Sequence, residues 1–342
     1  MIDFKRTVFK TSFHDPTRNF EVNEVSGEKR CDPLTGMLVR LFSFRKMTFP
    51  RHDWTPFVEE SRQRFCPFCP GVLEKATPRF TEDFIPGGKL QVGGAVVIPN
   101  LNPYETHSAV VVMSPEHYLS MQDLTPAVIR DSLEVGLEYL RAVAEKDPEN
   151  ARYSSINWNY MPYAGGSLIH PHLQVVSGAE PCNLDRSMLE AAARYDRENH
   201  RSYWEDLIGA ERGGERDLGS SGKVHWLASF APLALGDVTA VIPGCATIRD
   251  VGGELLGELA AGFKKVISYY DSINAPAFNM ALYFAGPEDR GFRCTARLVA
   301  RYTLFPLVGS DVSNMQMLHH DPWSLFTPEY LAADLRPFFQ GI

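Results

Sequence analysis

Long apolar runs are missing from this chain of 342 residues. No stretch approaches the roughly 18 consecutive apolar residues a membrane helix needs, and the opening Met1-Ile-Asp-Phe-Lys-Arg lacks the apolar centre of a secretory leader. The expected setting is cytoplasmic, without a membrane partner. Cysteine is scarce: there are six, and Cys66 with Cys69 is the one close pair, which excludes a disulfide framework. An excess of positive charge is absent as well. The net charge of −8 argues against nucleic acid as a partner and leaves any phosphate binding to a local basic cluster. The remaining composition is that of an ordinary globular protein, long enough for one large core or two smaller ones.

What is there centres on Ala164-Gly165-Gly166-Ser167-Leu168-Ile169-His170-Pro171-His172-Leu173-Gln174-Val175-Val176. Small residues break the backbone, and an apolar run with polar groups at every second position follows. In a strand, alternate side chains share a face. His170, His172 and Gln174 then point one way, with Ile169, Pro171, Leu173 and Val175 pointing the other. Two imidazoles and an amide on one face make a poor core and a good site.

Residues 1–36 read as polar and turn-rich, ending in Asp32-Pro33-Leu34-Thr35-Gly36, and Met37 to Phe44 alternates as a strand should. Strands are expected over 93–99, 108–113 and 153–159, with helices over 124–146 and 184–198. The charged, glycine-rich stretch 209–222 is the linker candidate. The second half repeats the order, with strands over 224–230 and 238–243, a helix over 252–271, and strands over 278–284 and 297–305. Laid on each other, the copies set Ile169–Gln174 beside Leu298–Thr303, where no histidine stands. The fold class expected is α+β, a duplicated unit of antiparallel sheet with long helices packed on it. The halves divide at 1–208 and 209–342.

Cys66-Pro67-Phe68-Cys69-Pro70-Gly71 is a zinc half-site or a redox pair, and its prolines and glycine favour a metal knuckle. Structural zinc takes four N or S donors, and His117 and His170 are the candidates for the other two. Such a closed site cannot polarise a substrate; it would pin the strand that carries His172. Imidazole is largely neutral near pH 7, so His172 can attack a phosphoryl centre through one nitrogen while the other donates to a carbonyl. The resulting phosphoramidate can pass its group onward, which is covalent catalysis of the ping-pong kind. Gln174, Ser167 and Asn159 are neutral donors for phosphoryl oxygens, and the flexible Gly165-Gly166 loop lies beside them. An amide at Gln174 suits a phosphate leaving group, which needs no proton, so transfer is favoured over hydrolysis. Arg45 and Arg51 form the local basic cluster. His319-His320 is read as surface and Trp158 as core.

Asp32-Pro33-Leu34-Thr35-Gly36, the cysteine knuckle, Ser114-Pro115-Glu116-His117 and the stretch from Asn159 to Gln174 together resemble the galactose-1-phosphate uridylyltransferase family, the transferase branch of the histidine triad superfamily. The resemblance implies histidine-triad-like halves, of which only the first keeps the catalytic histidine. It implies structural zinc on Cys66, Cys69, His117 and His170, and a nucleotidylated His172. Gln174, Ser167 and Asn159 would hold phosphoryl oxygens, and Asn100 would sit in the nucleotide pocket. Arg45 would reach a neighbouring subunit's phosphate, which makes the expected assembly a homodimer. Asn102 stands where the family has a pocket phenylalanine, Thr48 where it has a second phosphate arginine, and Val299-Ala300-Arg301 where it has a His-x-His. Gln316 is the nearest match to a hexose-gripping glutamate. The expected activity moves UMP from UDP-glucose, through His172, to a sugar 1-phosphate, with a place in galactose metabolism. The alternatives are phosphorolysis of ADP-sugars or dinucleoside polyphosphates with phosphate as acceptor, and a non-catalytic zinc-bearing nucleotide-binding protein.

Overall fold

The computed structural model describes residues 2–43, 49–303 and 310–341. Where residues 1–36 were expected to be polar and turn-rich, the chain forms a long hairpin of β1 (Arg6–Asp15) and β2 (Glu21–Cys31), paired from Arg6 opposite Arg30 to Asp15 opposite Glu21. Most of β1 and the outer half of β2 are exposed on both faces, so burial imposes no alternation for a sequence reading to detect. β3 (Leu38–Leu41) pairs with β2. Helices α1 (Thr55–Arg62) and α2 (Leu73–Ala76) flank the cysteine knuckle.

The main sheet then begins with β4 (Leu90–Val92), β5 (Ala95–Pro99) and β6 (His107–Val112), followed by helix α3 (Pro126–Lys146) and strands β7 (Tyr153–Tyr160) and β8 (His172–Gly178). Helices α4 (Asn183–Asn199) and α5 (Tyr203–Glu211) come next. β9 (Asp217–Ser221), β10 (Val224–Ala228) and β11 (Val238–Val241) lead to α6 (Glu254–Ser272), then β12 (Ala277–Tyr283) and β13 (Thr295–Arg301). The chain finishes with α7 (Asn314–His319), β14 (Trp323–Ser324), which joins β3, and α8 (Pro328–Gln340).

Ten strands form one antiparallel sheet in the order β4-β5-β6-β8-β7-β12-β13-β11-β10-β9. The order reads the same from both ends once each strand is replaced by its counterpart in the other half. That is the expected duplicated α+β unit, joined across β7 and β12. Two expectations need correction. The stretch 209–222 is no linker: it holds the end of α5 and the edge strand β9. The connections 161–171 and 284–294 have the same length, so topology sets Thr295, not Arg301, at the place of His172.

Helix α3 starts where the Thr125 hydroxyl accepts from the Val128 amide at 3.2 Å, with Pro126 in its first turn. It buries Ile129, Leu133, Leu137 and Leu140, and α6 buries Leu256, Leu259, Phe263, Val266 and Tyr270, each along one stripe. Both helices cover the same sheet face, packing on Trp158, Leu173, Val175, Met280 and Leu298. The other face is left for chemistry. It carries His172 opposite Val112, Gln174 opposite Val110 and Asn157, and Asn159 opposite Asn279. Among the described residues no helix is long and apolar enough to cross a membrane.

Candidate active site and metal centre

The knuckle folds as its prolines and glycine dictate. Cys69 N–H donates to Cys66 O, Val72 N–H and Leu73 N–H donate to Cys69 O, and Gly71 takes a left-handed φ of 77° with open space around it. Phe68 and Leu73 pack on Ile98, Val110 and Val112, which seats the loop on the polar face of the sheet. This brings Cys66, Cys69, His117 and His170 together, with one donor atom from each lying within 4.8 Å of the others. Cys66 Sγ is 3.6 Å and Cys69 Sγ 3.8 Å from His170 Nδ1, and Cys69 Sγ is 3.1 Å from His117 Nδ1. A tetrahedron with zinc bond lengths has edges of about 3.5–3.8 Å, so the set needs little movement to close on a cation.

The protonation states point the same way. His170 Nε2 lies 2.8 Å from the carbonyl of Ser114, which can only accept, so Nε2 carries the proton and Nδ1 offers its lone pair to the cluster. Ser61 Oγ donates to Val58 O and therefore accepts from His117 Nε2 at 2.9 Å, again leaving Nδ1 free. Both imidazoles are thus held by outer partners in the metal-binding tautomer. Burial, reinforced by the hydrogen bond and charge of Cys66, pushes the Cys69 thiol up to about 11. Two adjacent thiolates without a cation would repel each other. The donor chemistry fits zinc.

His172 opens β8 two residues after His170. Its Nδ1 is 2.8 Å from the carbonyl of His170, so Nδ1 donates and Nε2 keeps its lone pair. Nε2 has no hydrogen-bond partner among the described residues. The ring is 7 % exposed, and the Phe68 ring centroid lies 5.5 Å from it. Burial lowers the imidazole's pKa, with the His170 carbonyl opposing, so the neutral form dominates near pH 7. Phe68 went unnoticed in the sequence. Its place between the two cysteines, on the loop that must cover the histidine strand, was the available signal.

The other candidates sort by register. Gln174 lies two residues along β8 on the same face, its amide unpartnered among the described residues. Asn159 closes the β7 end of that face and accepts from Asn279 Nδ2 at 2.7 Å. Gly165 has φ 91°, and a Cβ on Gly166 would come within 2.9 Å of the Asn159 carbonyl oxygen, so this loop runs tight against Asn159. Ser167 is exposed beside it. Asn100 is placed differently. Its amide donates to Ser108 Oγ at 3.3 Å and accepts from Asn102 N–H at 3.0 Å, tying the turn between β5 and β6. Ser108 pairs with Val176, four residues along β8 from His172, or about 13 Å at strand rise. Arg45 and Thr48 lie outside the described residues. Arg51 pairs with Asp271 at 3.1 Å. Gln316 is occupied by the α7 capping box and by Trp323 Nε1 at 2.7 Å. His319 and His320 are exposed, and Trp158 is buried.

No protein-family model matches the chain. An uncharacterized protein of Archaeoglobus fulgidus is 32% identical over 324 residues, covering 94% of this chain and 95% of that one. The ADP-glucose phosphorylase of Arabidopsis thaliana is 29% identical over 186 residues, 46% of this chain and half of its own length. The crystal structure of an Arabidopsis ADP-glucose phosphorylase with bound ADP-glucose superposes with a TM-score of 0.71 at 18% identity, covering 91% of this chain and 98% of that one. A uridylyltransferase structure superposes with a TM-score of 0.67 at 19% identity, over 92% and 98%. The fold is therefore the one these transferases and phosphorylases share.

Proposed function

We propose, for a chain that belongs to one family with the uncharacterized Archaeoglobus fulgidus protein and has the uridylyltransferase fold, that it is a nucleotidyltransferase working through His172. One observation carries the reading. The His170 carbonyl accepts a hydrogen bond from His172 Nδ1–H at 2.8 Å while His170's own ring faces the cysteine pair, so the direction of the Nε2 lone pair is fixed by the neighbouring residue.

In the first half-reaction Nε2 attacks the α-phosphorus of a nucleotide sugar. A P–N bond forms, the bridging P–O bond breaks, and a sugar 1-phosphate leaves with its electron pair, needing no proton. In the second, a phosphate oxygen of the acceptor attacks the same phosphorus, a P–O bond forms, the P–N bond breaks, and its electron pair returns to Nε2 of His172. Gln174, Asn159 and Ser167 hold the phosphoryl oxygens as charge spreads over them, and the Gly165-Gly166 loop lets the chain approach closely. Asn100, beside Ser108 toward the far end of the same face, would contact the nucleoside end of the donor. Cys66, Cys69, His117 and His170 would hold zinc, which when bound supplies rigidity to the knuckle. Arg45 would complete the phosphate contacts from a second subunit of a homodimer.

The first reading of the donor is UDP-glucose with a sugar 1-phosphate as acceptor. A second reading, phosphorolysis of an ADP-sugar, is favoured by the likeness to the protein named ADP-glucose phosphorylase and by the engagement of Gln316 in a helix cap. Intact-protein and peptide mass spectrometry after incubation with UDP-glucose or ADP-glucose tests both. A uridylyl adduct on His172 supports the first, and an adenylyl adduct the second. No adduct from either donor overturns covalent transfer.

A further inference from the structure

We infer that Asn279 and Arg301, both from the second half of the sheet, form a positioning relay that makes Asn159 present its N–H, and not its carbonyl oxygen, to the substrate phosphoryl group. This rests on the proposed transfer through His172. Arg301 closes β13, where Asp311 grips it with Nη2 2.6 Å from Oδ1 and Nε 2.8 Å from Oδ2. Its remaining arm, Nη1, lies 2.8 Å from Asn279 Oδ1. Asn279 Nδ2 reaches Asn159 Oδ1 at 2.7 Å and the carbonyl of Ala164, at the mouth of the glycine loop, at 2.8 Å.

The direction of this chain follows from donor inventory alone. A guanidinium only donates, so it must meet the oxygen of Asn279. A main-chain carbonyl only accepts, so Ala164 must meet the nitrogen. Asn279 therefore has one allowed orientation, with every polar atom used. Its second N–H then forces Asn159 to accept through Oδ1, which turns Asn159 Nδ2 outward. That nitrogen has no partner among the described residues and sits 4.0 Å from where a side chain on Gly165 would begin. Reversed, the Asn159 amide would set an oxygen against phosphoryl oxygens. The half without the histidine thus fixes the polarity of a donor in the half that has one.

The test measures single-turnover nucleotidylation of His172, separated from donor affinity, in the full-length protein and three variants. Asn279→Asp changes one atom but cannot donate to Asn159, so Asn159 must turn over. The expected result is a rate about 100- to 1,000-fold lower, the scale for losing one transition-state donor, with donor affinity, zinc content and Tm essentially unchanged. Arg301→Met should slow the step as well, and Arg301→Lys, which keeps a donor, should restore part of the rate. Equal rates in Asn279→Asp and wild type, or slowing that only follows a lost Tm, overturns the relay and leaves the transfer reading intact. No adduct in the wild type with either donor overturns the transfer reading instead. The relay is then judged by the Asn159 side-chain amide resonance during titration with inorganic phosphate. A shift in wild type and none in Asn279→Asp supports it, and a shift in both or in neither sinks it.

Discussion

Two residues apart, His170 in the loop before β8 and His172 at its first position, offer opposite nitrogens, and the difference is set entirely by which carbonyl each ring faces. Ser114 O accepts a hydrogen bond from His170 Nε2–H, and His170 O accepts one from His172 Nδ1–H. Their proposed roles should therefore separate under substitution. His172→Asn should abolish adduct formation while bound zinc stays at the wild-type level, read by mass spectrometry and elemental analysis. Loss of metal would mean the two histidines have been given each other's roles. The neighbouring loop offers a steric probe. A Cβ on Gly166 would lie 2.9 Å from the Asn159 carbonyl oxygen and 3.1 Å from that of Met161, both backbone atoms that cannot swing away. Gly166→Ala should lower the transfer rate by roughly 10-fold or more, since small misplacements at a reacting centre are costly. Tm should fall as well, because Met161, Ala164 and Ile169 of this loop belong to the core, so the rate is compared well below the variant's Tm.

At the level of elements, the knuckle is a short loop whose order depends on its donors. If metal binding supplies that order, its free energy is folding free energy. Cys66→Ser should lose the metal and lower Tm by several degrees, read by calorimetry with and without a chelator; unchanged metal content and Tm would count against the zinc assignment. This centre was legible in the sequence because its chemistry is local: two cysteines in a proline-bounded turn, and a histidine beside a strand with polar residues on one face. Elements held by long-range contacts were less legible. The β1–β2 hairpin has little buried face to impose a period. Strand β9 hides behind Gly213, Gly214, Gly219 and Gly222, which imitate a linker. The register between the halves slipped by six residues because similar side chains recur along β13, and only equal loop lengths settle it. Asn279 carried no motif, and Arg301 stood out only as part of the stretch that replaces a His-x-His, since their joint role matters only once β12 lies beside β7.

At the scale of the molecule, the small sheet must be tied to the large one, and charged groups do much of this. Arg30 on β2 is 1 % exposed. It meets Glu329, in the first turn of α8, at 2.8 and 2.9 Å, and Glu28 at 2.9 Å, with Phe230 under its guanidinium at 4.8 Å. Arg216, ahead of β9, reaches the same Glu329 at 2.9 Å and also Glu211 at the end of α5. Burial alone would raise the Glu329 carboxyl, but the two arginines outweigh it and hold it at about 2, against an ordinary 4.5. A folded-state pKa below the unfolded one means that the unfolded chain takes up the proton first as pH falls. The stability this carboxylate contributes is therefore complete above about pH 4.5 and disappears between there and about pH 2. Allowing for solvent screening of a partly exposed group, it amounts to about 2 kcal/mol. Glu329→Gln removes the charge and leaves a buried guanidinium short of one partner. Urea unfolding should show the variant weaker by about that amount at pH 7, and the gap should narrow steadily as both proteins are titrated below pH 4.5. A gap of constant size down to pH 3 would mean that the shape of Glu329, and not its charge, joins the two sheets.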